Sequence, residues 1–228
     1  RKRVGREVRG YLMNFLFIRI PLIDPDRFLE RWVGVFGKLF TWPALLLWVA
    51  LVVTGLYHLA GRTDALIASA RGVLDMDNLL LLYAGTAILK VFHEFGHGFA
   101  CKRFGRLAGT GGEVHTMGIM FLVFTPLPYV DASSAWAFRG KWHRVAVGTA
   151  GMYVELAIAA VACIVWARTG GMVQQLAYNM IFVAGVSTVL FNANPLLRYD
   201  GYYILSYLLA IPNLSQRSKD YIYYLVKR

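Results

Sequence analysis

The chain has 228 residues, of which 57% are hydrophobic and 16% charged, with a mean hydropathy of +0.50 and a formal net charge of +11. Soluble domains average about 45–50% apolar and about 25% charged residues, so this composition excludes an ordinary soluble domain. The apolar excess lies in runs, which predicts an integral membrane protein. Anionic lipid at one membrane face then explains the positive charge, and no nucleic-acid partner is expected.

Residues 1–40 mix basic and apolar side chains without a long apolar run. This pattern predicts a basic amphipathic segment that lies at the membrane interface. It precedes a membrane core over residues 41–210 and a basic tail over residues 211–228. Because the chain starts without Met and stops within the basic tail, it is expected to be part of a longer protein.

Four apolar runs approach the length of about 20 residues that a helix needs to cross a bilayer. They cover residues 42–60, 79–100, 145–167 and 176–197. The predicted fold is therefore an all-α membrane bundle of about four transmembrane helices. Lys and Arg cluster before the first run and between the second and third runs, which places the N-terminus and the basic tail on the cytoplasmic side.

The segment over residues 109–130 differs from the four apolar runs. Glycines open it, a short apolar stretch follows, and Pro126 and Pro128 come near its end. The apolar stretch is too short for a spanning helix, so a β-hairpin or a re-entrant loop is predicted. Such backbone is tolerated at membrane depth only against protein or a water-filled cavity, and the segment is expected to line one.

Residues 90–99, KVFHEFGHGF, place ionisable groups inside the second apolar run. His93 and His97 are four residues apart, so both imidazoles project from one face of a helix. This HExxH spacing suits two ligands of one zinc ion, and Glu94 can take a proton from water activated by the ion. Ionisable groups within a span usually face a bundle interior or an aqueous cavity, which favours a functional site.

A catalytic zinc ion takes three protein ligands and keeps one position open, so two histidines are not enough. Two later carboxylates are candidates, Glu155 in the third run and Asp200 just past the fourth. Pro195 breaks the fourth helix and Gly201 adds backbone freedom beside Asp200. A carboxylate at such a break can approach the HExxH face.

Together the two motifs resemble the site-2 protease family of intramembrane zinc metalloproteases. In that family an aspartate from the motif F-N-x-x-P-x-x-x-x-D-G joins the HExxH helix, and here the motif consists of Phe191, Asn192, Pro195, Asp200 and Gly201. The resemblance implies that His93, His97 and Asp200 bind Zn²⁺. It also implies that Glu94 is the general base and that Asn192 positions the substrate or the oxyanion.

The resemblance covers roughly residues 79–210 and has departures. Where the family often has G-P-x-x-N, this chain has GMYVE, so Met152 replaces proline and Glu155 replaces asparagine. These differences indicate a divergent, bacterial-type branch, expected in the inner membrane. Glu155 has three open roles, as a hydrogen-bond partner of a zinc ligand, as a gate for substrate, or as a partner of Lys90.

The expected function is hydrolysis of peptide bonds in a membrane-embedded or membrane-proximal protein or peptide. The alternative is a zinc-binding membrane component of a peptide export or transport system that cleaves nothing, and the intact Glu94 speaks against it because structural zinc needs no general base. A hydrolase of other substrates stays open, since zinc-activated water attacks amides and esters alike. His115 is expected at the mouth of the cavity, and Gly148 and Gly151 are expected to allow close helix packing.

Overall fold

The computed structural model describes residues 17–122 and 125–227. Three strands lie in this part of the chain, namely β1 (Phe17–Ile23), β2 (Met117–Leu122) and β3 (Thr125–Val130). The helices are α1 (Asp26–Phe36), α2 (Trp42–Leu59), α3 (Thr63–Ala70), α4 (Met76–Ala108), α5 (Lys141–Arg168), α6 (Gly171–Val186), α7 (Asp200–Leu209) and α8 (Leu214–Val226). A π-helical turn, Ser187–Asn192, extends α6.

Four helical segments are long and apolar enough to cross a membrane, and they are Trp42–Leu59, Met76–Ala108, Lys141–Arg168 and Gly171–Asn192. Each overlaps one of the predicted apolar runs, so the prediction of a largely helical chain with about four candidate membrane spans is confirmed. The fourth segment ends at Asn192, before the predicted limit of 197, because Pro195 cannot continue the helix.

Helix α5 is the centre of the bundle and packs against α2, α4, α6 and α7. Small residues let the backbones approach closely at two crossings. A Cβ at Gly55 of α2 would lie 2.9 Å from the Ala160 backbone, and one at Gly96 of α4 would lie 2.9 Å from the Ala150 carbonyl oxygen. The second crossing holds the HExxH face of α4 directly against α5.

Gly109 ends α4 in the left-handed conformation, with φ of +70°, and turns the chain toward the sheet. The sheet has the order β1-β2-β3 with antiparallel neighbours, so the 109–130 segment contains a pair of strands. The depth of this pair in a membrane stays a prediction. Strand β1 comes from the predicted interfacial segment 1–40, for which no strand was expected, and residues 1–16 of that segment lie outside the described residues.

Strand β3 forms the edge of the sheet that faces α4. The Asp131 N–H donates to the Thr116 carbonyl at 2.9 Å, toward β2, whereas the Val130 N–H donates to Glu94 on α4. Since backbone groups alternate in direction along a strand, the nitrogens of Pro126 and Pro128 also point to the outer edge. Proline is tolerated there because no hydrogen bond to β2 is lost.

An ion pair attaches α1 to the end of α4. The buried Lys102 places Nζ 2.5 Å from Asp26 Oδ1, which also accepts a hydrogen bond of 2.8 Å from the Val114 N–H. Burial alone would raise the pKa of the Asp26 carboxyl, but the bonds from Lys102 and Val114 outweigh it and hold that pKa below its usual range. The charged form of Asp26 is therefore stabilised by folding.

We expect Asp26→Asn to lower the free energy of unfolding by about 1–3 kcal/mol at neutral pH, because Lys102 loses its nearest charge partner. A carboxyl with a depressed pKa stabilises the fold fully above its unfolded pKa of about 3.9, and this contribution is lost as the pH falls below that value. Thermal unfolding in detergent should therefore show a weaker acid dependence in the variant. Asp64→Asn is the control, since Asp64 is an exposed carboxylate outside this ion pair. Identical acid dependence in Asp26→Asn and the unmodified protein would contradict the expectation.

Candidate metal centre

His93, His97 and Asp200 meet at one point in the bundle, although more than 100 residues separate Asp200 from the two histidines. One ligand atom from each lies within 4.8 Å of the others. The two histidine Nε2 atoms are 3.2 Å apart. The Asp200 oxygens lie 3.1 Å from Nε2 of His93 and 3.2 Å from Nε2 of His97. The fold thus assembles the ligand set that the motifs imply.

The hydrogen-bond partners of Nδ1 show which ring nitrogen of each imidazole carries the proton. Nδ1 of His97 lies 2.7 Å from the Val147 carbonyl oxygen, and Nδ1 of His93 lies 3.1 Å from Glu155 Oε2. Because a carbonyl and a carboxylate only accept hydrogen bonds, both Nδ1 atoms act as donors. In neutral imidazoles the Nε2 lone pairs then point inward, toward each other and toward Asp200.

This arrangement fits a metal cation. Two nitrogen lone pairs and a carboxylate face one another, and the buried Asp200 Oδ2 accepts no well-aligned hydrogen bond from any described residue. An orphaned buried oxygen costs about 1–3 kcal/mol, and a cation between the three groups removes that cost. Two histidines and one carboxylate are also a donor set that catalytic zinc takes. The residues therefore suit a divalent ion such as zinc.

Glu94 lies beside the ligands and is fixed by the sheet. Its Oε2 accepts a 2.9 Å hydrogen bond from the Val130 N–H at the end of β3. Glu94, His97 and Asp200 all line a cleft of about 220 Å³ between α4, the sheet and the start of α7. Its walls include the aromatic residues Tyr129, Trp136, Tyr203 and Tyr207. The candidate general base thus faces the same cleft as two of the three ligands.

Gly151 was expected to serve helix packing, and the structure gives it a different role. It lies on the face of α5 that is turned to the metal centre, where an added Cβ would overlap Nε2 of both His93 and His97. The absence of a side chain is therefore what leaves room for the two imidazoles. Gly148, one turn earlier, lines the cleft.

The residues whose roles were open now have positions. Glu155 is fully buried and contacts both His93 and Lys90, so it is at once the partner of a candidate ligand and half of an ion pair. Asn192 donates a 3.0 Å hydrogen bond to Glu155 Oε2, and its role toward substrate stays a prediction. His115 is exposed and lies 3.0 Å from Asp24, whose hydrogen bond raises the pKa of the imidazole.

The predicted base and two of the three predicted ligands thus line one cleft. The Val147 carbonyl and Gly151 lie beside the ligand imidazoles, and no sequence signal marked them as part of the metal centre. A glycine on the helix facing HExxH would have been the nearest hint, but glycine in a span also fits packing. No protein-family model, curated protein or solved structure matches the chain.

Proposed function

We propose that the protein is an intramembrane zinc metalloprotease of the site-2 type, acting on a membrane protein or peptide. The observation that carries this proposal is the meeting of His93, His97 and Asp200 beside Glu94, within a bundle that has four candidate spans. These three residues would hold the ion, and the bundle would place the site within the lipid bilayer. The cytoplasmic position of the N-terminus and a bacterial inner membrane are parts of the same proposal.

Zinc, when bound, lowers the pKa of water from about 15.7 to about 7 and polarises the carbonyl that is attacked. Glu94 receives the proton from the attacking water and passes it to the leaving amine. The Val130 N–H donates to Glu94 Oε2 and so holds in place the carboxylate that transfers the proton. Asp200 and the Nε2 atoms of the two histidines would hold the ion, and the hydrogen bond from Val130 keeps the Glu94 carboxylate beside them.

The placement of Glu94 favours catalysis over a purely structural zinc site. A structural site is closed by four protein ligands, whereas here three donors converge and a cleft opens beside them. The cleft has a volume of about 220 Å³ and aromatic walls, and this small space suits an extended peptide more than an intact helix of about 10 Å diameter. A substrate helix would therefore have to unwind before its peptide bond reached Glu94.

We expect about one zinc ion per chain in detergent-purified protein, and much less in Asp200→Ala and His97→Ala, because each variant removes one of three ligands. Mass spectrometry of the metal content is the measurement. Asp131→Asn is the control, since Asp131 lines the same cleft but lies outside the ligand set. A zinc content in Asp200→Ala equal to that of the unmodified protein would show that Asp200 is not a ligand, and Glu155 would be the next candidate.

A further inference from the structure

Glu155 lies at the junction of three helices and has no exposed surface. Its Oε1 is 3.0 Å from Lys90 Nζ on α4. Its Oε2 lies 3.1 Å from His93 Nδ1 and accepts hydrogen bonds from Thr188 at 3.2 Å and Asn192 at 3.0 Å. Four donors therefore surround this carboxylate, three of them at Oε2 and one at Oε1.

Lys90 offsets the free-energy cost of burying the Glu155 carboxylate. Its ammonium group pairs with Glu155 and also hydrogen-bonds to Ser187 on the π turn. A buried charge without a partner is strongly unfavourable, while a pair whose remaining donors and acceptors are satisfied is acceptable. The charge of Lys90 is therefore tied to Glu155, and the pair as a whole adds no net charge beside the metal ligands.

The π turn, Ser187–Asn192, brings the fourth helix into this network. Its bonds join residues five apart, as in the 2.7 Å bond from the Ala193 N–H to the Thr188 carbonyl. In an α-helix residues five apart differ by about 140° around the axis, so Ser187 and Asn192 would face different directions. The wider π turn aligns them, and Asn192 Nδ2 lies 3.3 Å from Ser187 Oγ.

Asn192 in turn supports the segment that carries Asp200. The start of α7 sits directly on the end of the π turn, because a Cβ at Gly201 would lie 2.8 Å from the Asn192 carbonyl oxygen. Glu155 thus contacts the ligand His93 on one side and, through Asn192, the backbone beside the ligand Asp200 on the other. The two halves of the metal centre are connected by one carboxylate.

On the basis of the proposed zinc site, we infer that Glu155 is a positioning residue that sets the metal affinity of the centre, with Lys90 as its charge partner. It orients His93 through Nδ1 and makes Nε2 a better donor, as carboxylates commonly do for metal-binding histidines. The backbone carbonyl of Val147 supplies the weaker equivalent for His97. The Nε2 atoms of the two histidines therefore differ in donor strength, and the Glu155 side chain is the source of the difference.

The test is the zinc affinity of the full chain in detergent, measured with zinc alone in competition with a chelator of known affinity. Loss of such an outer carboxylate typically reduces metal affinity about 10–100-fold, and we expect this range for Glu155→Gln. Lys90→Gln should reduce both the thermal stability and the zinc affinity, because it leaves Glu155 without a counter-charge.

The double variant Lys90→Gln/Glu155→Gln separates positioning from folding. Removal of both charges should restore much of the thermal stability lost in Lys90→Gln, but the zinc affinity should stay about 10–100-fold below that of the unmodified protein. Asn179→Ala is the matched control. Asn179 is as buried as Glu155 and exchanges hydrogen bonds of 2.7 and 2.9 Å with Asn78, but it is not among the metal-ligand contacts of the described residues.

Asn179→Ala should therefore lose stability and keep its zinc affinity. Unchanged zinc affinity in Glu155→Gln would overturn the inference and leave the zinc site itself intact. Full zinc affinity in the double variant would also overturn the inference, since the Lys90–Glu155 pair would then contribute only to folding. If the unmodified protein took up no zinc at all, the proposed function and this inference would both fail.

Discussion

Glu94→Gln should reduce peptide cleavage by about 10²–10⁴-fold while the zinc content stays unchanged, since this is the usual contribution of a general base. The amide oxygen of the new side chain can still accept the hydrogen bond that the Val130 N–H gives to Glu94. No metal ligand is removed, and the shape of the side chain is conserved. The loss would therefore report proton transfer and not a change in folding or in metal binding.

The measurement compares kcat for a set of apolar fluorogenic peptides with the zinc content of the same samples. Glu113→Gln makes the same substitution at an exposed carboxylate in the loop after α4, so it should leave both quantities unchanged. Full cleavage by Glu94→Gln would exclude Glu94 as the base. A zinc-loaded protein that cleaves no peptide or membrane substrate, with or without the substitution, would instead favour the export-component alternative.

Gly151→Ala should remove zinc from the centre almost completely, although the substitution adds a single methyl group. The added Cβ would lie 2.4 Å from Nε2 of both His93 and His97, which is far inside van der Waals contact, so both imidazoles would have to move. Their Nδ1 bonds to Glu155 and Val147 would be lost with them. The expected loss is comparable to that in His97→Ala, although no ligand has been changed.

Zinc content and thermal stability of Gly151→Ala should be measured beside Gly148→Ala. At Gly148 the added Cβ lies 3.0 Å from Ile204 Cγ1, the flexible part of a side chain that can shift. Gly148→Ala should therefore keep its zinc. A Gly151→Ala protein that binds zinc as tightly as the unmodified chain would show that the ligand imidazoles do not lie against α5.

The four candidate spans and the HExxH helix face could be predicted from sequence because their signals are local. Each apolar run has its length and hydropathy within one segment, and His93 and His97 share a helix face through their spacing alone. For the third ligand the residues alone left Glu155 and Asp200 open. The resemblance of the second motif implied Asp200, and the structure does bring Asp200 to the histidines. These features required no knowledge of which helices touch.

The remaining features depend on tertiary contacts that no local pattern encodes. Strand β1 exists because β2 pairs with it about 100 residues later, with Ile20 opposite Ile119. In the sequence Glu155 is a single carboxylate in an apolar helix with several open roles. Only the crossing of α4 and α5 shows its contact with His93. The absence of a side chain at Gly151 matters only because two imidazoles from another helix fill the space.

The prolines of β3 give the outer edge of the sheet an unusual polarity. Pro126 and Pro128 have no N–H, and the Val130 N–H is engaged by Glu94, so between Pro126 and Val130 the edge presents carbonyl oxygens and no available donor. An extended segment laid along it could form only half of the usual ladder and would have to supply every N–H itself. Two copies of this edge therefore cannot pair with each other, because neither has an N–H to donate. The edge would accept only an extended chain whose own N–H groups are available to donate.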